Sequence, residues 1–209
     1  MTHKIPSRFF EDKAFAEGYR FVAGIDEAGR GCLAGPVVAA AVILPRGYNN
    51  DSIRDSKQLS PAKREETAKV IQQEAIATGV GIVSSTIIDE INILQATLLS
   101  MTKALSALRI EPDFIFVDGN RALTVPLAQQ TIVGGDALSI SCAAASIIAK
   151  TTRDALMREY HQQFPYYDFL HNKGYGTSNH VAAIARWGFS PIHRRTFKTK
   201  QLFQEGLDI

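Results

Sequence analysis

Carboxylate side chains follow three short apolar runs of this chain, and glycine lies close to each of them. The segments are GIDEAG at 24–29, FVDGN at 116–120 and VGGDAL at 133–138. Apolar runs of this kind predict buried strands, and acids at neighbouring strand ends converge on one edge of a sheet. The four acids in these segments are Asp26, Glu27, Asp118 and Asp136. A site made of carboxylates, with no histidine or cysteine, favours Mg²⁺ or Mn²⁺ over zinc. Such a site suits two-metal displacement at phosphorus.

Each acid also has a purely structural interpretation. Asp118 precedes glycine, which is typical of a turn, and Asp136 could cap a following helix. An adjacent Asp26 and Glu27 could form a solvated surface pair. The apolar residues before this pair and the turn formers after it argue against that alternative, because two carboxylates at the end of a buried strand need a cation or raised pKa values to coexist.

The segment 21–44 organises the predicted fold. Its runs 21–25 and 37–44 predict buried strands, and the glycines between them mark a tight connection. Further strands are predicted at 80–86, 114–117 and 130–133. Helices are predicted at 9–18, 61–77 with Gly79 ending it, 88–108, 137–160 and 178–187. This order predicts an α/β fold, a mixed sheet flanked by helices with a small C-terminal helical appendage.

Composition sets broad limits on the protein class. A chain of 209 residues is expected to form a single domain, 1–209, with an N-terminal arm at 1–20 and an appendage at about 161–209. The net charge of +2 means that any contact with nucleic acid must come from local patches. We find no signal peptide and no apolar stretch long enough to span a bilayer. Two distant cysteines favour a reduced, cytoplasmic protein, and a monomer is expected.

Six motifs in order along the chain resemble those of bacterial ribonuclease HII, the type 2 ribonuclease H. They are GIDEAGRG, DSKQL, FVDGN, GGD followed by AAASIIAKTTRD, NKGYGT and HRRTF, and they extend from about residue 20 to 197. The resemblance implies a ribonuclease-H-like fold and an endonuclease that hydrolyses the RNA strand of RNA–DNA hybrids. It also implies incision 5′ of single ribonucleotides in duplex DNA. The four acids would hold two Mg²⁺ or Mn²⁺ ions, and the products would carry 3′-hydroxyl and 5′-phosphate ends.

The same resemblance implies substrate-binding residues, which are Gly29, Arg30, Gly31, Lys57, Lys173 and Tyr175. The 29–31 turn would sense the ribonucleotide, because glycines let backbone groups approach a 2′-hydroxyl closely. Tyr175 would pack on the following sugar, and the two lysines would contact phosphates. Without the resemblance, these residues would be interpreted as a plain hairpin, a packed loop tyrosine and solvent-exposed lysines.

Asp154, in KTTRD, is expected to support the metal ligands from behind or to pair with Arg153 or Arg158; direct metal ligation is the alternative. Near the C-terminus, basic residues alternate with aromatic ones, which favours contact with a duplex backbone over a solvated tail. These basic residues are Arg186, His193, Arg194, Arg195, Lys198 and Lys200. No metal is assigned to the histidines. Residues 201–203 weakly resemble peptides that dock on the replication sliding clamp, so a clamp contact through 201–209 is a further hypothesis.

Two other functions compete with this interpretation. One is a metal-dependent nuclease or phosphotransferase of the same broad fold with a different substrate, against which the 29–31 turn and Tyr175 argue. The other is a nucleic-acid-binding module without catalysis. Clustered acids argue against the second, because they would repel phosphates that a pure binder must attract.

Overall fold

The computed structural model of the chain describes residues 6–53 and 59–197, and a five-stranded mixed sheet forms its centre. The strands are β1 Val22–Ala28, β2 Val37–Ile43, β3 Ala77–Val83, β4 Phe114–Asp118 and β5 Ala128–Ile132, in the order β3-β2-β1-β4-β5. Antiparallel pairing joins β1 to β2 and β2 to β3, while β4 runs parallel to both β1 and β5. The predicted mixed α/β sheet is confirmed.

Helices cover both faces of this sheet. They are α1 Phe9–Ala16, α2 Pro61–Glu74, α3 Ser85–Ser106, α4 Ile140–Gln163, α5 Phe169–Asn172 and α6 Ser178–Trp187. Alternate residues of β2 point to opposite faces, as the period of a strand requires. Ala40 and Val42 pack in a cluster with residues of α2 and α4, whereas Ala41 and Ile43 pack with residues of α3. No helix in the described part of the chain is long and apolar enough to cross a membrane.

Helix α4 lies very close to β1, and this contact brings the sheet and the future site together. A side chain at Gly24 would overlap the backbone of Ser141 and Cys142. Small residues at 143–145 are fully buried in the same layer. Ser139 begins α4 as its N-cap, and its hydroxyl accepts a hydrogen bond from the N–H of Cys142. Helix α4 is therefore fixed both along its axis and against the sheet.

Several predicted boundaries are wrong. Strand β1 continues to Ala28, so Asp26 and Glu27 lie inside the strand, paired with Ala40 and Ala39, and not beyond its end. Gly79 does not end a helix. It lies within β3, where the absence of a side chain leaves room for the carbonyl of Ala104 on α3.

Helix α3 contains a break that the apolar periodicity concealed. Asn92 has a φ of 67°, and its side-chain oxygen accepts hydrogen bonds from the N–H groups of Leu94 and Gln95. Asn92 therefore acts as an internal N-cap.

The residues after α4 form a second small cluster beside the sheet. Phe169 of α5 and Ile184 of α6 are buried with Leu33 and Ala34, which belong to the connection between β1 and β2. The predicted helical appendage is thus present in 164–197, and it packs directly on the loop that follows β1. At the other end, α1 packs Ala14 against Val22 and Phe116 of the sheet.

Candidate active site

Three of the predicted acids meet at one edge of the sheet. One carboxylate oxygen from each of Asp26, Asp118 and Asp136 lies within 4.8 Å of the others, and we call these residues the acid trio. Ile25 of β1 is paired with Val117 of the parallel strand β4, so Asp26 and Asp118 follow side by side. Asp136 arrives from a short 3-10 turn, Gly135–Ala137, between β5 and α4. The three acids therefore converge at one edge of the sheet, from inside β1, from the end of β4 and from the turn before α4.

Hydrogen bonds fix the acid trio in place. The N–H of Gly135 donates to Oδ1 of Asp118 over 2.6 Å, which joins the turn carrying Asp136 to the end of β4. The N–H of Glu27 donates to Oδ1 of Asp26 over 2.7 Å. The Ser146 side chain on α4 also hydrogen-bonds to Asp26. The sheet, the turn and α4 thus each hold part of one carboxylate cluster.

The electrostatics of the cluster fit a divalent cation. Burial raises the pKa of Asp26 well above its usual value, and the charges of Glu27 and Asp118 raise it further. Burial also raises the pKa of Glu27, against the opposing effect of Arg30. Buried like charges are relieved when a cation lies between them. An all-oxygen donor set of this kind is suited to Mg²⁺ or Mn²⁺.

Glu27 stands apart from the acid trio. As the next residue along β1 it points to the other face of the strand, and its Oε1 accepts a hydrogen bond from Nη1 of Arg30 over 3.2 Å. It still lines the same open space as Asp118. The fourth predicted acid is therefore adjacent to the cluster and already paired with an arginine of the 29–31 turn.

An open cleft of about 240 Å³ brings the predicted recognition residues to the acids. We call it the first cleft, and it is lined by residues of β1, the 29–31 turn, β4, α4 and the loop before α6. Its lining includes Asp26, Glu27, Gly29, Arg30, Gly31, Asp118, Ser146, Lys150 and Tyr175. The Tyr175 side chain is half exposed, and Lys150 Nζ lies 5.8 Å from the centre of its ring. Lys150 was not identified from the sequence, although it lies one helical turn from both Ser146 and Asp154.

The fold constrains the two glycines of the 29–31 turn to different degrees. Gly29 has a φ of 98°, and a side chain there would overlap the guanidinium of Arg153. Gly31 has open space around the position of an added side chain. The fold therefore requires glycine at 29, whereas at 31 a side chain would meet no other atom of the described residues.

Asp154 makes different ion pairs from those expected. It contacts Nζ of Lys150 over 2.6 Å and Nη1 of Arg64 over 3.4 Å. The predicted partners are engaged elsewhere, since Arg153 donates to backbone carbonyls and Arg158 pairs with Glu65. Asp154 thus orients a lysine of the first cleft.

The remaining predicted contacts have mixed outcomes. Lys173 is partly buried, burial lowers its pKa, and its carbonyl accepts a hydrogen bond from Arg153. Lys57, Lys198, Lys200 and 201–209 lie outside the described residues. The interpretation of His193 and Arg194 as duplex contacts is wrong, because both are buried; Arg186 and Arg195 are exposed.

A second cleft of about 270 Å³ lies on the other side of Glu27 and Asp118. Its far wall is formed by α3, and its floor includes Asn120 and Arg121 directly after β4. These two polar residues were not identified from the sequence, although Asn120 belongs to the FVDGN motif. Glu27 and Asp118 therefore line both open clefts.

Comparisons with known proteins agree with this arrangement. A family model described as "Ribonuclease HII" matches residues 23–200. The ribonuclease HII of Syntrophus aciditrophicus is 56% identical over 198 residues, which are 95% of this chain and 93% of that protein. The structure of ribonuclease H2 from Pyrococcus horikoshii matches with a TM-score of 0.73 and 28% identity, covering 88% of this chain and 96% of that one. The ribonuclease HII of Archaeoglobus fulgidus, solved in complex with PCNA, gives a TM-score of 0.72 and 27% identity over 86% and 96% of the two chains.

The sequence match covers most of both proteins, and the two structural matches cover 86% or more of this chain and 96% of each solved chain. The chain therefore belongs to the ribonuclease HII family and is a ribonuclease H enzyme.

Proposed function

We propose that the protein is an endonuclease that hydrolyses the RNA strand of RNA–DNA hybrids and cuts 5′ of single ribonucleotides embedded in duplex DNA. The observation that carries this proposal is the first cleft. Asp26 and Asp118 of the acid trio line this cleft together with the glycine-rich turn at 29–31 and Tyr175. A site for phosphodiester cleavage thus adjoins a surface on which a ribose can be examined.

The acids would act as ligands. Asp26, Asp118 and Asp136 would hold the metal ions, with Glu27 available beside them once its contact with Arg30 opens. When bound, two Mg²⁺ or Mn²⁺ ions would supply an activated water and neutralise the charge that develops on the departing 3′ oxygen. This chemistry would leave a 3′-hydroxyl and a 5′-phosphate.

The residues around the acids would choose the substrate. The 29–31 turn offers backbone groups that can approach a 2′-hydroxyl, the group that distinguishes RNA from DNA. The exposed Tyr175 ring would pack against the next sugar, and Lys150 beside it would contribute positive charge for a phosphate. Asp154 would support the site indirectly, by holding Lys150. Phosphate contacts by Lys57 and Lys173 remain part of the proposal.

The first test is cleavage of an end-labelled DNA duplex that carries one internal ribonucleotide, in Mg²⁺, Mn²⁺ or EDTA. We expect a single metal-dependent cut immediately 5′ of the ribonucleotide. An all-DNA duplex and the Asp118→Asn protein are the controls, and ligation of the downstream product would demonstrate its 5′-phosphate. Cleavage of long hybrids alone would refute the recognition of single ribonucleotides. Binding without cleavage of either substrate would favour a non-catalytic binding module.

A contact with the replication sliding clamp through 201–209 is a second proposal. It is favoured by the weak peptide resemblance at 201–203, and the Archaeoglobus fulgidus relative was solved in complex with PCNA. A protein lacking 201–209 should lose clamp binding while keeping its cleavage rate on free duplexes. Absence of clamp binding by the intact protein would refute the contact. A monomeric, cytoplasmic protein also remains a prediction.

A further inference from the structure

Arg194 is a buried arginine whose guanidinium is used almost entirely on the backbone. Its side chain is about 1% exposed. Its Nη2 donates to the carbonyl of Gly29 over 2.7 Å, its Nη1 to the carbonyl of Arg30 over 2.8 Å, and its Nε to the carbonyl of Gly35 over 3.0 Å. Burying a cation against neutral acceptors is costly. This cost points to a role beyond packing.

The backbone of Arg194 is itself firmly held. Its N–H donates to the carbonyl of Leu33 over 2.8 Å. The carboxylate of Asp89 accepts hydrogen bonds from the N–H groups of Arg195 and Thr196, the next two residues. The guanidinium also lies 5.0 Å from the ring centre of Phe197. Arg194 can therefore impose its geometry on the 29–31 turn.

The direction of two carbonyls determines the direction of two amides. In a trans peptide unit the carbonyl and the following N–H point in opposite directions, and the described chain has no cis peptide bond. The carbonyls of Gly29 and Arg30 point inward to Arg194. The N–H groups of Arg30 and Gly31 must therefore point outward, on the side where these residues line the first cleft. No backbone carbonyl in 6–53 or 59–197 accepts a hydrogen bond from either amide.

We propose that Arg194 is a positioning residue for ribose recognition, because it turns the amides of Arg30 and Gly31 into a fixed pair of donors facing the first cleft. The pair would bind the oxygen atoms that a ribonucleotide presents at this point. This inference rests on the proposed function, since it assigns a cause to the recognition step of the same site. Arginine suits the task because its planar fork holds donors on three nitrogens in a fixed geometry, whereas the three donors of lysine share one rotating nitrogen.

The test compares Arg194→Lys with a variant that lowers stability elsewhere. Ile184→Ala removes a fully buried side chain from the small apolar cluster that contains Leu33 and Ala34, and it does not alter the 29–31 turn. Both are placed in the Asp118→Asn background, and the affinity for a duplex with one ribonucleotide is compared with that for the all-DNA duplex. Thermal unfolding is recorded for each protein, and titration with Mn²⁺ by calorimetry is carried out on the same two substitutions in the protein that keeps Asp118.

We expect Arg194→Lys to reduce the ratio of the two affinities about tenfold, the factor that corresponds to the loss of one well-made hydrogen bond. Affinity for all-DNA duplex and for Mn²⁺ should stay unchanged. Ile184→Ala should keep the parent ratio at a similar loss of thermal stability. An unchanged ratio in Arg194→Lys would refute the positioning role. A parent protein without any preference for the ribonucleotide would instead refute the recognition step of the proposed function.

A measurement on the unaltered Arg194 covers the case in which its substitution prevents folding. In ¹⁵N-labelled Asp118→Asn protein, the amide signals of Arg30 and Gly31 should shift on addition of the ribonucleotide duplex and not on addition of the all-DNA duplex. Amide signals that respond equally to both duplexes would overturn the proposal.

Discussion

Acid should destabilise the C-terminal segment through a buried histidine pair. The Ser190 N–H donates to Nδ1 of His193 over 2.9 Å, so this nitrogen carries no proton. The Nε2 atoms of His193 and His180 lie 3.0 Å apart, and Nδ1 of His180 lies 2.8 Å from the carbonyl of Tyr175. The order of donors is therefore fixed from Ser190 to Tyr175. Adding a proton to either ring would leave two N–H groups facing each other.

The size of the effect follows from the pKa of His193. Burial, and then the charge of a protonated His180, lower this pKa from 6.5 to about 3; burial also lowers the pKa of His180. The unfolded chain binds a proton near pH 6.5, whereas the folded chain does not until about pH 3. Stability from this group is therefore complete above pH 6.5 and is lost as the pH falls toward 3. Between pH 7.5 and pH 5, His193 alone should cost about 2 kcal/mol.

The assay is urea unfolding at pH 7.5 and at pH 5, in EDTA, of the parent protein and His193→Gln. Glutamine lowers stability at both pH values but cannot titrate, so the loss between them should be about 2 kcal/mol smaller in the variant. Acids such as Asp26, whose raised pKa acts in the opposite direction, are common to both proteins and cancel. His171→Gln is the matched control, because it replaces an exposed histidine and leaves the buried pair intact. Equal pH dependence in His193→Gln and the parent would refute the argument.

Three further predictions test the site and its support. Asp26→Asn should abolish cleavage and yet raise the free energy of unfolding in EDTA at pH 8 by about 1 kcal/mol, because a buried charge beside Glu27 and Asp118 is removed; a less stable variant in urea unfolding would contradict this. Saturating Mn²⁺, at about 100 times its dissociation constant, should stabilise the parent protein by about 2.7 kcal/mol in urea unfolding without EDTA and should have little effect on Asp26→Asn. Gly24→Ala should cost about 3 kcal/mol or prevent folding, because the added methyl group overlaps the backbone of Ser141; a thermal midpoint equal to that of the parent would show that α4 can move away.

The parts of the site that the sequence predicted are those with local signals. An apolar run followed by an acid and glycine indicates a strand end whatever the rest of the chain does, and so Asp26, Asp118 and Asp136 can be grouped from their sequence neighbours alone. The placement of Glu27 could not be predicted in this way. It depends on β1 continuing to Ala28, which is set by pairing with β2 and not by the residues of β1 alone.

The interpretation of Gly79 was wrong because glycine is needed at this position for packing and not to end a helix. Gly79 follows a helical pattern, so it was expected to end the helix, but its missing side chain admits the backbone of α3 instead. The predicted ion-pair partners of Asp154 were wrong for a related reason. Neighbouring arginines on α4 were plausible from spacing, yet Arg153 is engaged by carbonyls of the loop after β1, and Arg64 arrives from α2.

Arg194 was misassigned because arginine is rarely buried and because its acceptors leave no trace in the sequence. Every residue has a backbone carbonyl, so the amino-acid sequence does not indicate which carbonyls a buried guanidinium binds. Arg153 behaves in the same way, donating to the carbonyls of Ala34 and Pro36. Together the two arginines hold five carbonyls of the loop 29–36.

This loop has opposing requirements. A turn that contacts a sugar through its backbone needs glycine, because a larger residue would keep the backbone away from the 2′-hydroxyl. Glycine also makes the backbone flexible, and a flexible turn would discriminate less well between ribose and deoxyribose. Two buried guanidinium groups resolve the conflict, since they restrain the turn through its carbonyls and add no side chain to the lining of the first cleft. Specificity in this fold would then depend on residues that never touch the substrate, and loss of discrimination without loss of cleavage chemistry is the kinetic signature expected when one of them is changed.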